Sequence, residues 1–179
     1  MKKGNTNMEA VDKKPFPKNR SRLKRPVGIY EIRRRLNDFA ENEEWDEIVA
    51  YIQSMLTARP RDHWLLTQIA LAFLLKKDYS GALVYAADAL TIEFSCPLAQ
   101  VIFANAMAAL GQRQDALEFY EALIRRGTHQ LVHGKCGTGS DCNINPERAH
   151  VLIEEAQAGV YQCTSETAIV DEGKVSRAL

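Results

Sequence analysis

The sequence predicts an all-α protein built as a stack of helix hairpins, and two observations lead to this prediction. From Ile29 onward, apolar residues return three or four positions apart, the spacing of one face of a helix. Two later stretches also align with each other when one is shifted by 34 positions, a period of the length typical of helical repeats. A chain of 179 residues, 46% hydrophobic and 26% charged, is long enough for one such structured unit.

Each repeat is defined by four apolar positions. They are Leu36, Phe39, Ile48 and Leu56 in the first repeat, Ala70, Phe73, Ala82 and Leu90 in the second, and Ala104, Met107, Ala116 and Ile124 in the third. Pro60 stands where the second helix of the first repeat should stop. The sequence therefore predicts three repeats of two helices each, over residues 29–62, 63–96 and 97–130.

The end of the stack needs a cap, because a terminal repeat otherwise exposes its apolar face. Asn145 followed by Pro146 provides an N-cap and a proline at the first helical position. Apolar residues then form one stripe at Ala149, Leu152, Ile153, Ala156 and Val160. We therefore expect a loop over 128–145, a capping helix over 146–163 and a flexible tail over 164–179.

The charge is distributed unevenly, although the net charge is zero. Residues 1–28 hold nine Lys and Arg against two acidic residues, which leaves fourteen against twenty-one in the rest, so the two parts carry +7 and −7. Three prolines and the lack of an apolar period predict a disordered basic arm. Such an arm can bind nucleic acid weakly by releasing counterions, so a nucleic-acid-associated protein is one alternative function.

The 34-residue period, with alanine opening the second helix, resembles the tetratricopeptide repeat. Leu66, Ala70 and Phe73 stand at first-helix positions of that family's pattern, whereas Ala86 and Tyr120 replace a phenylalanine of the second helix. The resemblance implies a right-handed solenoid over 29–163 and a role as an interaction scaffold, adaptor or chaperone-like protein. A concave groove would bind an apolar segment of a protein or peptide ligand.

The resemblance also places groove residues on the first helix of each repeat. They are Tyr30, Arg33 and Asn37, then Trp64, Thr67, Leu71 and Leu74, then Leu98, Val101 and Asn105. Family members that bind a terminal carboxylate have basic residues at the positions that Leu98 and Ile102 occupy in this chain. The lack of those two charges argues against a terminal carboxylate as the ligand. The alternative is that the chain's own arm or tail, or a second copy in a homodimer, covers the groove.

The predicted loop contains histidines and cysteines. His129, His133, Cys136 and Cys142 include the donor types of a zinc site, but their H-x3-H-x2-C-x5-C spacing is not that of a known finger. Cys136 and Cys142 could also form a redox pair. Three glycines among these residues favour a simple mobile connection, so we predict no metal. A metal- or thiol-dependent function remains the second alternative.

Catalytic patterns are missing from the sequence. No Ser/His/Asp or Cys/His set falls at a spacing that a helix would bring together, and His63 is expected to begin a helix. We therefore predict a protein that is not an enzyme and uses no cofactor. No segment approaches about 18 consecutive apolar residues, and no export signal is recognised, so we expect a cytoplasmic protein with reduced thiols and no membrane contact.

Overall fold

The computed structural model describes residues 28–136 and 141–175, with side chains described up to residue 165. Within these ranges the all-α prediction is confirmed. The helices are α1 (Ile29–Glu41), α2 (Trp45–Leu56), α3 (His63–Leu75), α4 (Tyr79–Ile92), α5 (Pro97–Ala109), α6 (Arg113–His133) and α7 (Pro146–Val175). The predicted basic arm over residues 1–28 lies outside the described residues, apart from Gly28.

The helix starts follow from local sequence signals. α1, α3 and α5 begin at Ile29, His63 and Pro97, the first residues of the three predicted repeats. The carboxylate of Asp62 accepts a hydrogen bond from the Leu65 amide at 3.2 Å, and α5 carries its proline at the first helical position. These signals set where each hairpin starts, and they place His63 at the first turn of α3.

Each helix packs on the next along the chain, and α3, α5 and α7 also pack on one another in series. Ala70, Ala82 and Ala104 are fully buried at helix contacts. Their small side chains let neighbouring helices approach closely. One continuous apolar core therefore runs from α1 to α7. In the described part of the chain, no helix has both the length and the apolar character needed to cross a bilayer.

Two predicted boundaries are wrong. α6 continues to His133 instead of giving way to a loop at 128, because Gly127 bends the backbone with φ 67° and helix resumes beyond it. α7 continues to Val175 instead of ending at 163. Thr164 donates its hydroxyl to the Val160 carbonyl at 2.9 Å, and polar residues of this kind lower helix propensity only modestly.

Candidate metal centre

Three cysteines and one histidine from four separate segments converge at one end of the helix stack. His63 is the first residue of α3, and Cys96 directly precedes α5. Cys136 follows the end of α6, and Cys142 precedes the start of α7. The sulfur atoms and one ring nitrogen all lie within 4.8 Å of one another. Antiparallel packing brings these helix ends together, so the cluster joins the second and third hairpins and α7.

The distances between the donor atoms match those of a tetrahedral metal site. His63 Nε2 lies 3.3 Å from Cys142 Sγ and 3.4 Å from Cys136 Sγ, and the Cys96 and Cys142 sulfurs lie 3.6 Å apart. A tetrahedral zinc ion bound at ordinary lengths separates two sulfurs by about 3.8 Å and a sulfur from a nitrogen by about 3.5 Å. Little movement would be needed to accommodate zinc.

The three cysteine ligands are buried, and the histidine is partly exposed. Cys96, Cys136 and Cys142 are at most 2% exposed, and all three are thiols rather than parts of disulfides in the described structure. Contacts with Cys136 and Cys96 raise the pKa of His63 to about 10. Hydrogen bonds from Cys136 and Cys142 lower the pKa of Cys96, while hydrogen bonds with Cys136 and Cys96 raise that of Cys142. The cluster thus shares protons that a metal ion would displace.

A second layer of polar contacts fixes the segment that carries Cys96. The buried Gln100 side chain donates to the Phe94 carbonyl at 2.8 Å. Arg126 donates from Nη1 to the Ser95 carbonyl and to Gln100 Oε1, both at 2.9 Å. A zinc ion with three thiolates and one neutral imidazole would carry a net charge of about −1, which the Arg126 guanidinium would help to balance.

Only half of the metal-ligand set considered from the sequence belongs to this cluster. Cys136 and Cys142 are brought together, but with His63 and Cys96 instead of His129 and His133. His129 and His133 lie one helical turn apart on α6, with ring centroids 4.7 Å apart. The alternative set of His129, His133, Cys136 and Cys142, from which no metal was predicted, is not the set that converges, because His129 and His133 lie on the last turns of α6 outside the cluster.

A sequence signal for the missing ligands existed in the repeat itself. His63 opens the first helix of the second repeat, and Cys96 immediately precedes that of the third. Equivalent ends of stacked hairpins are neighbours in space, so the 34-residue register places these two residues close together. Sequence spacing along a single helix does not show such contacts between repeats.

Several residues expected to line an open groove are buried instead. Thr67 and Val101 are at most 1% exposed, and Trp64 and Leu98 are 4% and 6% exposed. The Thr67 hydroxyl donates to the His63 carbonyl at 2.7 Å, and α7 packs against α5. The prediction that these four residues face an open groove is wrong, because neighbouring helices cover them.

The other predicted groove residues keep some exposure. Tyr30 and Asn37 are exposed, and Arg33, Leu71 and Leu74 are partly exposed.

Asn105 is engaged by neighbouring helices within the fold. Its side-chain oxygen accepts from Tyr120 at 2.6 Å, and its amide donates to Glu155 at 2.6 Å. This links the residue to α6 and α7. Peptide binding by the accessible members remains a prediction.

Comparisons with known proteins add no family assignment. The chain matches no protein-family model, and no curated protein is significantly similar to it.

Proposed function

We propose that the chain is a helical-repeat scaffold for protein binding whose C-terminal part is fixed by a structural zinc ion bound to His63, Cys96, Cys136 and Cys142. The convergence of these four donors within 4.8 Å, from four separate segments, carries the zinc assignment. Three sulfurs and one imidazole nitrogen are ligands that zinc prefers, and three of the six distances between them, from 3.3 to 3.6 Å, are close to tetrahedral separations.

A structural role follows from the number of ligands. Catalytic zinc sites keep one position for water or substrate, whereas four protein ligands close the coordination sphere. Burial of the three cysteines also limits the approach of a substrate. The zinc would tie the ends of α3, α5, α6 and α7 together, and its binding energy would contribute directly to folding. Cysteines that form no disulfide in the described structure fit a reducing compartment, in line with the expected cytoplasmic location.

The scaffold part of the proposal is supported by the regular spacing of the helices. The first helices of the three hairpins start 34 residues apart, the period of tetratricopeptide repeats, for which a right-handed solenoid is expected. A stack of hairpins presents an extended surface suited to a protein or peptide ligand. The accessible side chains of Tyr30, Asn37 and Leu71 belong to this surface.

Metal analysis tests the zinc assignment directly. We expect about one zinc per chain in protein purified without chelator, and a tetrahedral cobalt spectrum with sulfur-to-metal charge transfer after exchange. Cys136→Ser should lose most of the metal. Cys163→Ser is the matched control, because Cys163 is equally buried but lies outside the cluster.

A second control separates the two ligand sets. His129→Asn combined with His133→Asn should leave the zinc content unchanged, whereas His63→Asn should lower it. Protein that contains no zinc, cannot take up cobalt and keeps its fold would refute the assignment.

A further inference from the structure

A small cavity lined by two arginines lies among side chains of α1, α3 and α7. Its volume is about 300 Å³, and Arg33, Asn37, Trp64, Gln68 and Arg148 supply the polar and aromatic lining. No carboxylate lines it. A cavity of this size fits a small chemical group rather than a long peptide segment, because pockets that hold a whole drug-sized ligand have volumes of about 300 Å³ or more.

The guanidinium of Arg33 is held in place but only partly satisfied. Its Nη2 donates to the Asp141 carbonyl, and its central carbon lies 5.5 Å from the centroid of the Trp64 ring. Its Nε is buried without a hydrogen-bond partner. A partly buried cation with an unsatisfied donor costs free energy that a nearby anion would offset.

Arg148 brings a second positive charge to the same cavity. It lies in the first turn of α7, where its amide donates to the Asn145 side chain at 2.8 Å. Within the described residues, no carboxylate lies within ion-pair distance of the Arg33 or Arg148 guanidinium. Asn37 and Gln68 add neutral amides that can donate hydrogen bonds. The cavity therefore holds two cations and no compensating acid.

We infer that this cavity binds the phosphate group of a phosphate monoester. A monoester carries close to two negative charges at neutral pH, which balances two arginines, and its oxygens accept the paired N–H bonds that guanidinium groups offer. A single carboxylate would balance one arginine only. Seryl phosphate on a protein segment and free phosphate share this chemistry.

The metal centre helps to position the site. Asp141, the Arg33 partner, is adjacent to the proposed ligand Cys142, and Arg148 lies in the first turn of the helix that follows. The inference rests on the proposed function, because the cavity shares Asn37 and Leu71 with the surface that is proposed to bind a protein ligand. Its test measures small ligands on zinc-loaded full-length protein, so failure to bind them leaves the zinc content and the metal assignment unaffected.

Calorimetric titration with a blocked tripeptide centred on phosphoserine tests the proposal. We expect binding at physiological salt, with the Trp64 indole NMR signal shifting more than that of Trp45. The same peptide with serine should not bind, and the glutamate version should bind at least tenfold more weakly. A parallel titration uses inorganic phosphate. If phosphate binds as tightly as the phosphopeptide, free phosphate is a sufficient ligand; if phosphate binds more weakly, the phosphate ester is the ligand. Both results support the site.

Arginine variants locate the binding. Arg148→Gln should weaken phosphopeptide binding at least tenfold with zinc content and melting temperature unchanged. Arg33→Gln should weaken binding to a similar extent. If the Arg33→Gln protein proves to be misfolded, the result for Arg148→Gln decides between the outcomes. Arg34→Gln is the control, because Arg34 is on α1 but pairs with Glu31 at the surface. Equal loss in Arg34→Gln, equal binding of the glutamate peptide, or no binding of phosphate or phosphopeptide would overturn the inference.

Discussion

The α3–α4 hairpin and the described residues of segment 134–145, which are 134–136 and 141–145, are held in place by different physical means. The hairpin has capped helices, fully buried Ala70 and Ala82, and stacked rings of Phe73 and Tyr85 with centroids 5.3 Å apart. Among the described residues of the segment, Ile144 alone adds a large buried apolar side chain. Periodic packing therefore stabilises the hairpin, whereas the segment depends on the donor cluster.

Removing the metal should give the largest effect and should separate the two regions. With a strong chelator, we expect hydrogen exchange to rise sharply in segment 134–145 and in the first turns of α7. The α3–α4 hairpin should stay protected, because its packing contains no metal ligand except His63 at its start. Loss of a structural zinc should cost several kcal/mol of stability, because the free energy of zinc binding contributes directly to folding.

Mass spectrometry of deuterated peptides measures this difference. Zinc returned in excess should restore the protection. Uniform exchange throughout the chain would mean that the hairpins cannot fold without the metal, and unchanged exchange everywhere would mean that the cluster is not a metal site.

A change in the hairpin packing should leave the metal site intact. Ala82→Leu adds volume at a fully buried position of α4, and over-packing of this kind costs about 1–3 kcal/mol. Val84→Leu is the control on the same helix, since Val84 is 59% exposed and should tolerate the change. Urea unfolding measures both variants. Equal stability of the two would argue against the 34-residue register.

The fold was largely predictable because its determinants repeat along the chain. Apolar spacing and the small residues at Ala70 and Ala104 predict where helices pack, and Asn145 with Pro146 predicts the start of α7. The ends of α6 and α7 were less predictable. Gly127 interrupts the helix with a non-helical backbone, but a second helical stretch resumes directly after it, and no proline marks where α7 ends.

The site was less predictable because it depends on distant residues. Cys96 and Cys142 are 46 positions apart, and His63 and Cys142 are 79 apart. Only the stacking of hairpins brings them together. The burial of Trp64 depends likewise on contacts between helices, which the pattern of a single helix does not show. The sequence analysis considered two of the four donors, Cys136 and Cys142, but with His129 and His133 as partners, and it predicted no metal.

The smallest expected effects come from two similar helix caps, one of them next to the metal centre. Asp78 accepts from the Gly81 amide at 3.0 Å and caps α4, whereas Asp62 accepts from the Leu65 amide at 3.2 Å and caps α3. Each Asp→Ala change should cost about 1 kcal/mol of stability, because one amide at the helix start loses its partner.

Their effects on the metal should differ. Asp62 immediately precedes His63, so loosening the first turn of α3 should displace the imidazole and weaken zinc binding by about tenfold, as for other changes around metal ligands. Asp78 lies at the start of α4, whose residues supply no ligand, so its variant should keep the affinity of the unaltered protein. Competition with a coloured zinc chelator measures both. If Asp78→Ala weakens zinc binding as much as Asp62→Ala does, the effect is a general loss of stability; if neither does, His63 is held by the metal cluster rather than by its helix.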